Sequence, residues 1–151
     1  WPMALAQDVL SILSISRRLP KSVFRLSDRT GDSGHGGRSL RTDPQLLEIV
    51  LTNLIGNALD ASGPSDQVTV EASETDQDYI VAISNSQAVP EQIRDRFFEK
   101  YVTAGKTGGT GIGTYSAAVM VRALGGQIEM RTSEAKGTTV TVCLPLTRRN
   151  A

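Results

Sequence analysis

The chain has 151 residues, 16 basic and 16 acidic, with 39% hydrophobic and 5% aromatic side chains, values that suit one soluble domain. A chain of this length buries about two thirds of its unfolded surface and needs neither disulfide nor structural metal; the single Cys143 has no partner within it and fits a reducing compartment. No apolar run approaches the roughly 20 residues that cross a bilayer, no signal-peptide pattern opens the sequence, and a neutral balance argues against a general nucleic-acid binder.

The zero net charge is a sum over unlike pieces. Residues 17–41 carry an excess of five positive charges, residues 43–100 an excess of eight negative, and the residues beyond 100 an excess of four positive. Folding is expected to mix these stretches into a patchy, solvated surface.

Leu5, Val9, Ile12, Leu13 and Ile15 recur at spacings of three and four, predicting an amphipathic helix over residues 3–18 that Pro20 ends. Residues 23–26 read as a short strand, residues 32–37 as a Gly/Ser-rich loop and residues 38–41 as a candidate second strand. Asp43 and Pro44 mark a helix start, as N-cap and first helical residue, and the helix should run to about Ser62, where Gly63 and Pro64 stop it. Residues 67–72 and 79–84 alternate in polarity around the polar turn 74–78 and predict a hairpin. A short helix suits residues 90–98, five glycines fall in residues 103–113, and residues 112–124 are helical in pattern until Gly125 and Gly126 break them. A second hairpin, residues 127–132 and 138–144, closes around the turn 134–137. With no repeat, heptad run or long linker, one α+β domain is expected over residues 1–151: a two-layer sandwich whose mixed, mostly antiparallel sheet is covered on one face by about three helices.

Two places carry chemistry. Asn53, Asn57 and Asp60, at spacings of four and three, share one helical stripe, while Leu47, Leu51, Leu54 and Ala58 lie on another that faces the core. A solvated polar face is the plainer explanation, but asparagine is an indifferent helix former, and its amide oxygen is a hard ligand suited to Mg²⁺. The second place is the run Gly108, Gly109, Thr110, Gly111, Ile112 and Gly113, which opens onto a helix. Such a loop turns backbone N–H groups toward a phosphate, although flexible glycine-rich surface loops are common. It is neither a Walker A loop, lacking the closing Lys-Ser or Lys-Thr, nor a Rossmann turn.

In order along the chain, N-L-I-G-N-A-L-D-A at residues 53–61, a hairpin ending at Ser84 and Asn85, Phe97-Phe98-Glu99, G-T-G-I-G at residues 109–113 and Gly137-Thr138-Thr139 resemble the catalytic ATP-binding domain of sensor histidine kinases. That domain belongs to the wider family, with the Bergerat-type ATP-binding fold, shared with type II topoisomerases, heat-shock chaperones and mismatch-repair ATPases. The resemblance spans residues 43–145; residues 53–61 look like the family's N box and residues 109–113 like its G2 box. It implies that Asn57 ligates Mg²⁺, that Asn53 approaches the phosphates, and that Asp60 with Ala61 supports the adenine side. Gly109, Thr110, Gly111, Ile112 and Gly113 would cradle phosphates, and Thr138 would order the adenine pocket. Lys106, in the lid, would meet the terminal phosphate as a point charge and join Asn53 as catalytic, an exposed loop lysine being the plainer alternative.

The same resemblance implies ATP and Mg²⁺ as cofactors and transfer of the γ-phosphoryl group to a histidine in a separate dimerisation domain of the full-length protein. Relay to a response regulator receiver domain would follow, with no role for nucleic acid. The domain would be cytoplasmic without touching the membrane, and excised from a longer chain in which a membrane anchor is allowed. Lacking the acceptor histidine, it would be inactive alone. One box departs from the family: where Asp-x-Gly-x-Gly is usual, residues 84–90 read S-N-S-Q-A-V-P. Asn85 is the candidate acceptor for the adenine amino group, with Ser84 the alternative if the register shifts by one, and a neutral acceptor binds less strongly than a carboxylate.

The remaining candidates have structural readings. His35 reads as an ordinary loop residue, Glu48 as a solvated carboxylate before one that orients a proton or ligand, Cys143 as a structural thiol in a strand, and Phe97, Phe98 and Tyr101 as anchors of the lid to the core before a nucleotide-edge cluster. Two rival readings are an anti-sigma-factor-type serine kinase, which would use the same boxes, and a docking domain that has lost nucleotide binding, which the altered adenine box favours. A self-contained ATPase would need a water-activating carboxylate where this chain has Asn53.

Overall fold

Asp43 starts the long helix in the expected way. Its Oδ1 accepts from the backbone N–H of Gln45 at 2.9 Å and of Leu46 at 3.4 Å, and Pro44 takes the first helical position, where its missing N–H costs nothing. This helix, α1, spans Pro44–Ala61 and stops at Ser62, whose hydroxyl donates to the Ala58 carbonyl at 2.7 Å. Its buried stripe holds the expected Leu47, Leu51, Leu54 and Ala58, widened by Val50, Ile55, Gly56 and Leu59. Asp43→Ala should cost about 1 kcal/mol, the usual loss for an N-cap, read as a lower midpoint in urea unfolding. An unchanged midpoint would mean that packing alone sets the helix start.

The structure, a computed structural model, describes residues 7–9, 11, 24–28, 38–40, 42–63, 65–100, 102 and 113–148. Within them six strands form one sheet: β1 (Phe24–Asp28), β2 (Arg38–Leu40), β3 (Val68–Glu74), β4 (Asp78–Asn85), β5 (Gln127–Ser133) and β6 (Gly137–Arg148). The order is β1-β3-β4-β6-β2, with β5 also on β6; β1 runs parallel to β3 and every other pair is antiparallel. Both hairpins form as predicted, but β6 extends past residue 144. It pairs with β5 through Cys143 and with β2 from Leu146 onward, so one long strand serves two short ones.

Strand alternation decides which face the helices cover. Val68, Val70 and Ala72 of β3, Tyr79, Val81 and Ile83 of β4, and Val140, Val142 and Leu144 of β6 are buried against α1 and against α2, which spans Gly113–Ala123 and contributes Ala117 and Val121. Residues 7–9 and 11 are helical, and Val9 joins this core; the rest of the helix predicted over residues 3–18 lies outside the described residues. Gly125, at φ 77°, closes α2: its N–H donates to the Arg122 carbonyl at 3.0 Å and that of Gly126 to the Val121 carbonyl at 2.9 Å, a Schellman end.

The helix expected over residues 90–98 is a single 3-10 segment, Glu91–Arg96, with no buried residue to stabilise a longer one. Cys143 lies half-buried on the uncovered sheet face, where burial and then the charges of Asp78 and Glu129 push its thiol pKa up, which disfavours the thiolate. Among the described residues no helix is long and apolar enough to cross a membrane.

Candidate functional site

On α1 the polar stripe is set apart from the core stripe. Asn53 and Asn57 are half-buried, Asp60 is exposed, Ala61 is half-buried, and Glu48 points to solvent. Gly113, the last glycine of the glycine-rich run, is the first residue of α2 and sits beside Asn53: a methyl group added to it would lie 3.9 Å from Asn53 Cβ. The end of one motif and the beginning of the other therefore share one place. The start of a helix carries partial positive charge, a setting for an anion. Lys106, Gly109, Thr110, Gly111 and Ile112 lie outside the described residues, as do His35 and Tyr101.

The described chain on either side of residues 101–112 is tied together. The Thr114 hydroxyl donates to the Phe97 carbonyl at 3.0 Å, and Lys100 Nζ stands 5.8 Å from the centre of the Tyr115 ring. Phe97 and Phe98 meet edge to face, centroids 4.9 Å apart at 86°, and both pack on the core; the lid that they were expected to anchor lies outside the described residues.

At the far end of the sheet, β4 separates its two candidate acceptors. Asn85 continues the helix-facing row of Tyr79, Val81 and Ile83 and is 8% exposed. Ser84 points to the uncovered face, its hydroxyl 2.9 Å from that of Thr139. The structure thus brings Asn85, with its cross-strand partner Thr138, to the side of the sheet where α1 lies, and leaves Ser84 on the other.

A hydroxyl relay fixes the segment that follows. Thr138 Oγ1 donates to the Gln87 carbonyl at 2.6 Å, and because a carbonyl only accepts, the single Thr138 proton is committed there. The 2.9 Å contact between Thr132 and Thr138 must then have Thr132 as donor, and the Thr132 oxygen accepts from the Val89 N–H at 2.8 Å. Asn85 Nδ2 faces the same Gln87 carbonyl at a longer 3.4 Å. Arg94 donates through Nε to the Val89 carbonyl at 2.8 Å and reaches Glu134 at 3.2 Å.

Gln87 Nε2 donates to Asp66 Oδ2 at 2.8 Å, and that oxygen also accepts from the Gly63 N–H at 2.7 Å. Hydrogen bonds from Gly63, then Gln87, then Ser86 hold the Asp66 carboxyl below its usual pKa range. Residues 86–89 lack the family's glycines, and these side chains hold them in place. Asp66, Gln87, Arg94 and Thr132 were not singled out by sequence; pairing the predicted strands would have set Thr132 opposite Thr138.

A family model described as histidine kinase-, DNA gyrase B- and HSP90-like ATPase matches residues 42–148. The sensor histidine kinase ZraS of Salmonella typhi is 33% identical over 115 residues, covering 74% of this chain and 24% of that protein. The sensor histidine kinase AruS of Pseudomonas aeruginosa is 30% identical over 146 residues, covering 90% of this chain and 14% of that protein. The chain therefore spans about a quarter or less of these relatives. Among solved structures, the nucleotide-free catalytic domain of histidine kinase ThkA superposes with TM-score 0.74 at 22% identity, covering 94% of this chain and 92% of that one. The mycobacterial sensor histidine kinase MprB superposes with TM-score 0.75 at 20% identity, covering 97% and 96%, so the α+β fold is shared.

Proposed function

The chain belongs to the histidine kinase-, DNA gyrase B- and HSP90-like ATPase family, and from that membership we propose that it is the ATP- and Mg²⁺-binding catalytic domain of a sensor histidine kinase. It donates the γ-phosphoryl group to a histidine on the dimerisation domain of the same full-length protein, for relay to a response regulator. The observation that carries this reading is the meeting of Asn53 with Gly113, with Asn57 one turn further along the same half-buried stripe.

The donor set suits Mg²⁺. Asn57 offers the ion one hard amide oxygen. A site with so few protein ligands leaves positions for water and phosphate oxygens, the usual arrangement for this ion. When bound, Mg²⁺ supplies neutralisation of the phosphate charge.

The chain's own residues do the rest. Asn53 and the first N–H groups of α2 orient the phosphates, together with Lys106, Gly109, Thr110, Gly111 and Ile112. Asp60 and Ala61 border the base, and Asn85 accepts from its exocyclic amino group. Thr138, its proton committed to Gln87, holds in place the loop that follows Asn85. Phosphoryl transfer asks chiefly for positioning and charge neutralisation, so no nucleophile is needed within residues 1–151, read here as one domain with its motifs in residues 43–145. On this reading the domain works in the cytoplasm, where ATP is held.

Titration calorimetry with Mg²⁺ and a non-hydrolysable ATP analogue tests the reading. One site per chain is expected, abolished by a chelator. Absence of heat, with no competition at millimolar nucleotide, overturns it.

A further inference from the structure

We propose that Asp66 and Gln87 are a positioning pair that fixes the direction of the Asn85 amide and thereby sets which purine the site accepts. The inference rests on the nucleotide reading above and concerns how a site without the family's carboxylate tells one base from another.

A carboxylate presents two equivalent acceptor oxygens, so it reads an amino group in either 180° orientation of its side chain. An amide has one acceptor end and one donor end. Turned one way it selects a 6-amino purine, and flipped by 180° it selects a 6-oxo purine. Selectivity from an asparagine therefore requires something that holds the flip.

The Gln87 carbonyl does this. Asn85 Nδ2 faces it at 3.4 Å, and the atom facing a carbonyl must be the donor, so Oδ1 is left as the acceptor of a side chain that is 8% exposed. The carbonyl is itself located by the Thr138 hydroxyl at 2.6 Å on one side and by the Gln87 side chain on the other. That side chain ends on Asp66 Oδ2 at 2.8 Å, and the same oxygen is fixed to the Gly63 N–H, two residues past the end of α1, at 2.7 Å. The helix that carries Asn53 and Asn57 is thus linked to the base-reading segment through two polar side chains, Gln87 exposed and Asp66 half-buried, whose mutual hydrogen bond is exposed. Exposed polar pairs contribute little to stability, so their alignment along this path is explained by what they hold.

The test compares the affinity of the chain for Mg·ATP and for Mg·ITP, which carries oxygen in place of the 6-amino group. The unaltered chain should prefer ATP by about tenfold or more, the value of one correctly paired hydrogen bond over two facing acceptors. Gln87→Ala and Asp66→Ala should each bring the ratio to within about threefold of unity while the thermal midpoint stays nearly constant.

Asn85→Asp supplies the decisive arm. A symmetrical carboxylate needs no orienting, so in that background Gln87→Ala should leave the ratio unchanged. A merely structural role would weaken both nucleotides equally, or act alike in both backgrounds, and either result overturns the proposal. Discrimination retained in Gln87→Ala overturns it while leaving the nucleotide site standing. Failure of the unaltered chain to bind either nucleotide removes that site and this inference with it.

Discussion

Asn57→Ala is expected to weaken Mg²⁺-dependent nucleotide binding by about a hundredfold or more while leaving the fold in place. Losing an outer-shell partner of a metal ligand already costs about 10–100-fold, and a direct ligand should cost at least as much. The fold should tolerate the change because Asn57 lies outside the buried stripe of α1, and alanine is the better helix former by several tenths of a kcal/mol. Affinity measured by calorimetry with and without chelator, beside a thermal scan, separates the two effects. Equal affinity in Mg²⁺ for the variant and the parent would remove Asn57 from the metal, and a collapsed midpoint would make the residue structural.

How much of this could be read from sequence depended on whether the deciding interactions are local. The start of α1 was legible because Asp43 and Pro44 act within one turn, and both hairpins were legible because alternation and turn residues are short-range. The choice between Ser84 and Asn85 was not. A one-residue slip exchanges the faces of a strand, and only the pairing of Asn85 with Thr138 and of Ser84 with Thr139 fixes the register.

The length of β6 was hidden for a related reason. Pro145 looks like a strand terminator, yet β6 runs through it. The Leu146 N–H is directed to the Gln77 carbonyl at 2.8 Å, on the β4 side, so residue 145 faces the opposite edge, where β5 pairing has ended and β2 pairing has not begun. A missing donor costs nothing at that gap. The loop at residues 86–89 is the extreme case: its anchors are Asp66, 21 residues from Gln87, and the paired Thr132 and Thr138 of the second hairpin, 43 and 51 residues from the groups they hold, and of these only Thr138 lies in a motif.

That loop also locates a large stability effect. Gly137 opens β6 with φ 78°, and a methyl group on it would run into the Asn85 carbonyl oxygen and lie 2.7 Å from both Cα and the carbonyl carbon of Ser86. Neither obstacle is a side chain that can swing away. Asn85 is held in the ladder opposite Thr138, and Ser86 leads directly into the Gln87 carbonyl that Thr138 grips.

Gly137→Ala should therefore cost about 1–2 kcal/mol for the left-handed backbone and about 1–3 more for overpacking, together about 2–5 kcal/mol in urea unfolding. Nucleotide affinity should fall with it, because relief of the clash displaces Asn85. Gly125 provides the control: its φ is 77°, but a methyl there would meet nothing nearer than Pro145 Cγ at 4.0 Å. Gly125→Ala should show the backbone cost alone and bind nucleotide normally. Equal losses at the two positions would mean that the backbone angle accounts for both and that the close packing of β6 against residues 85 and 86 contributes nothing.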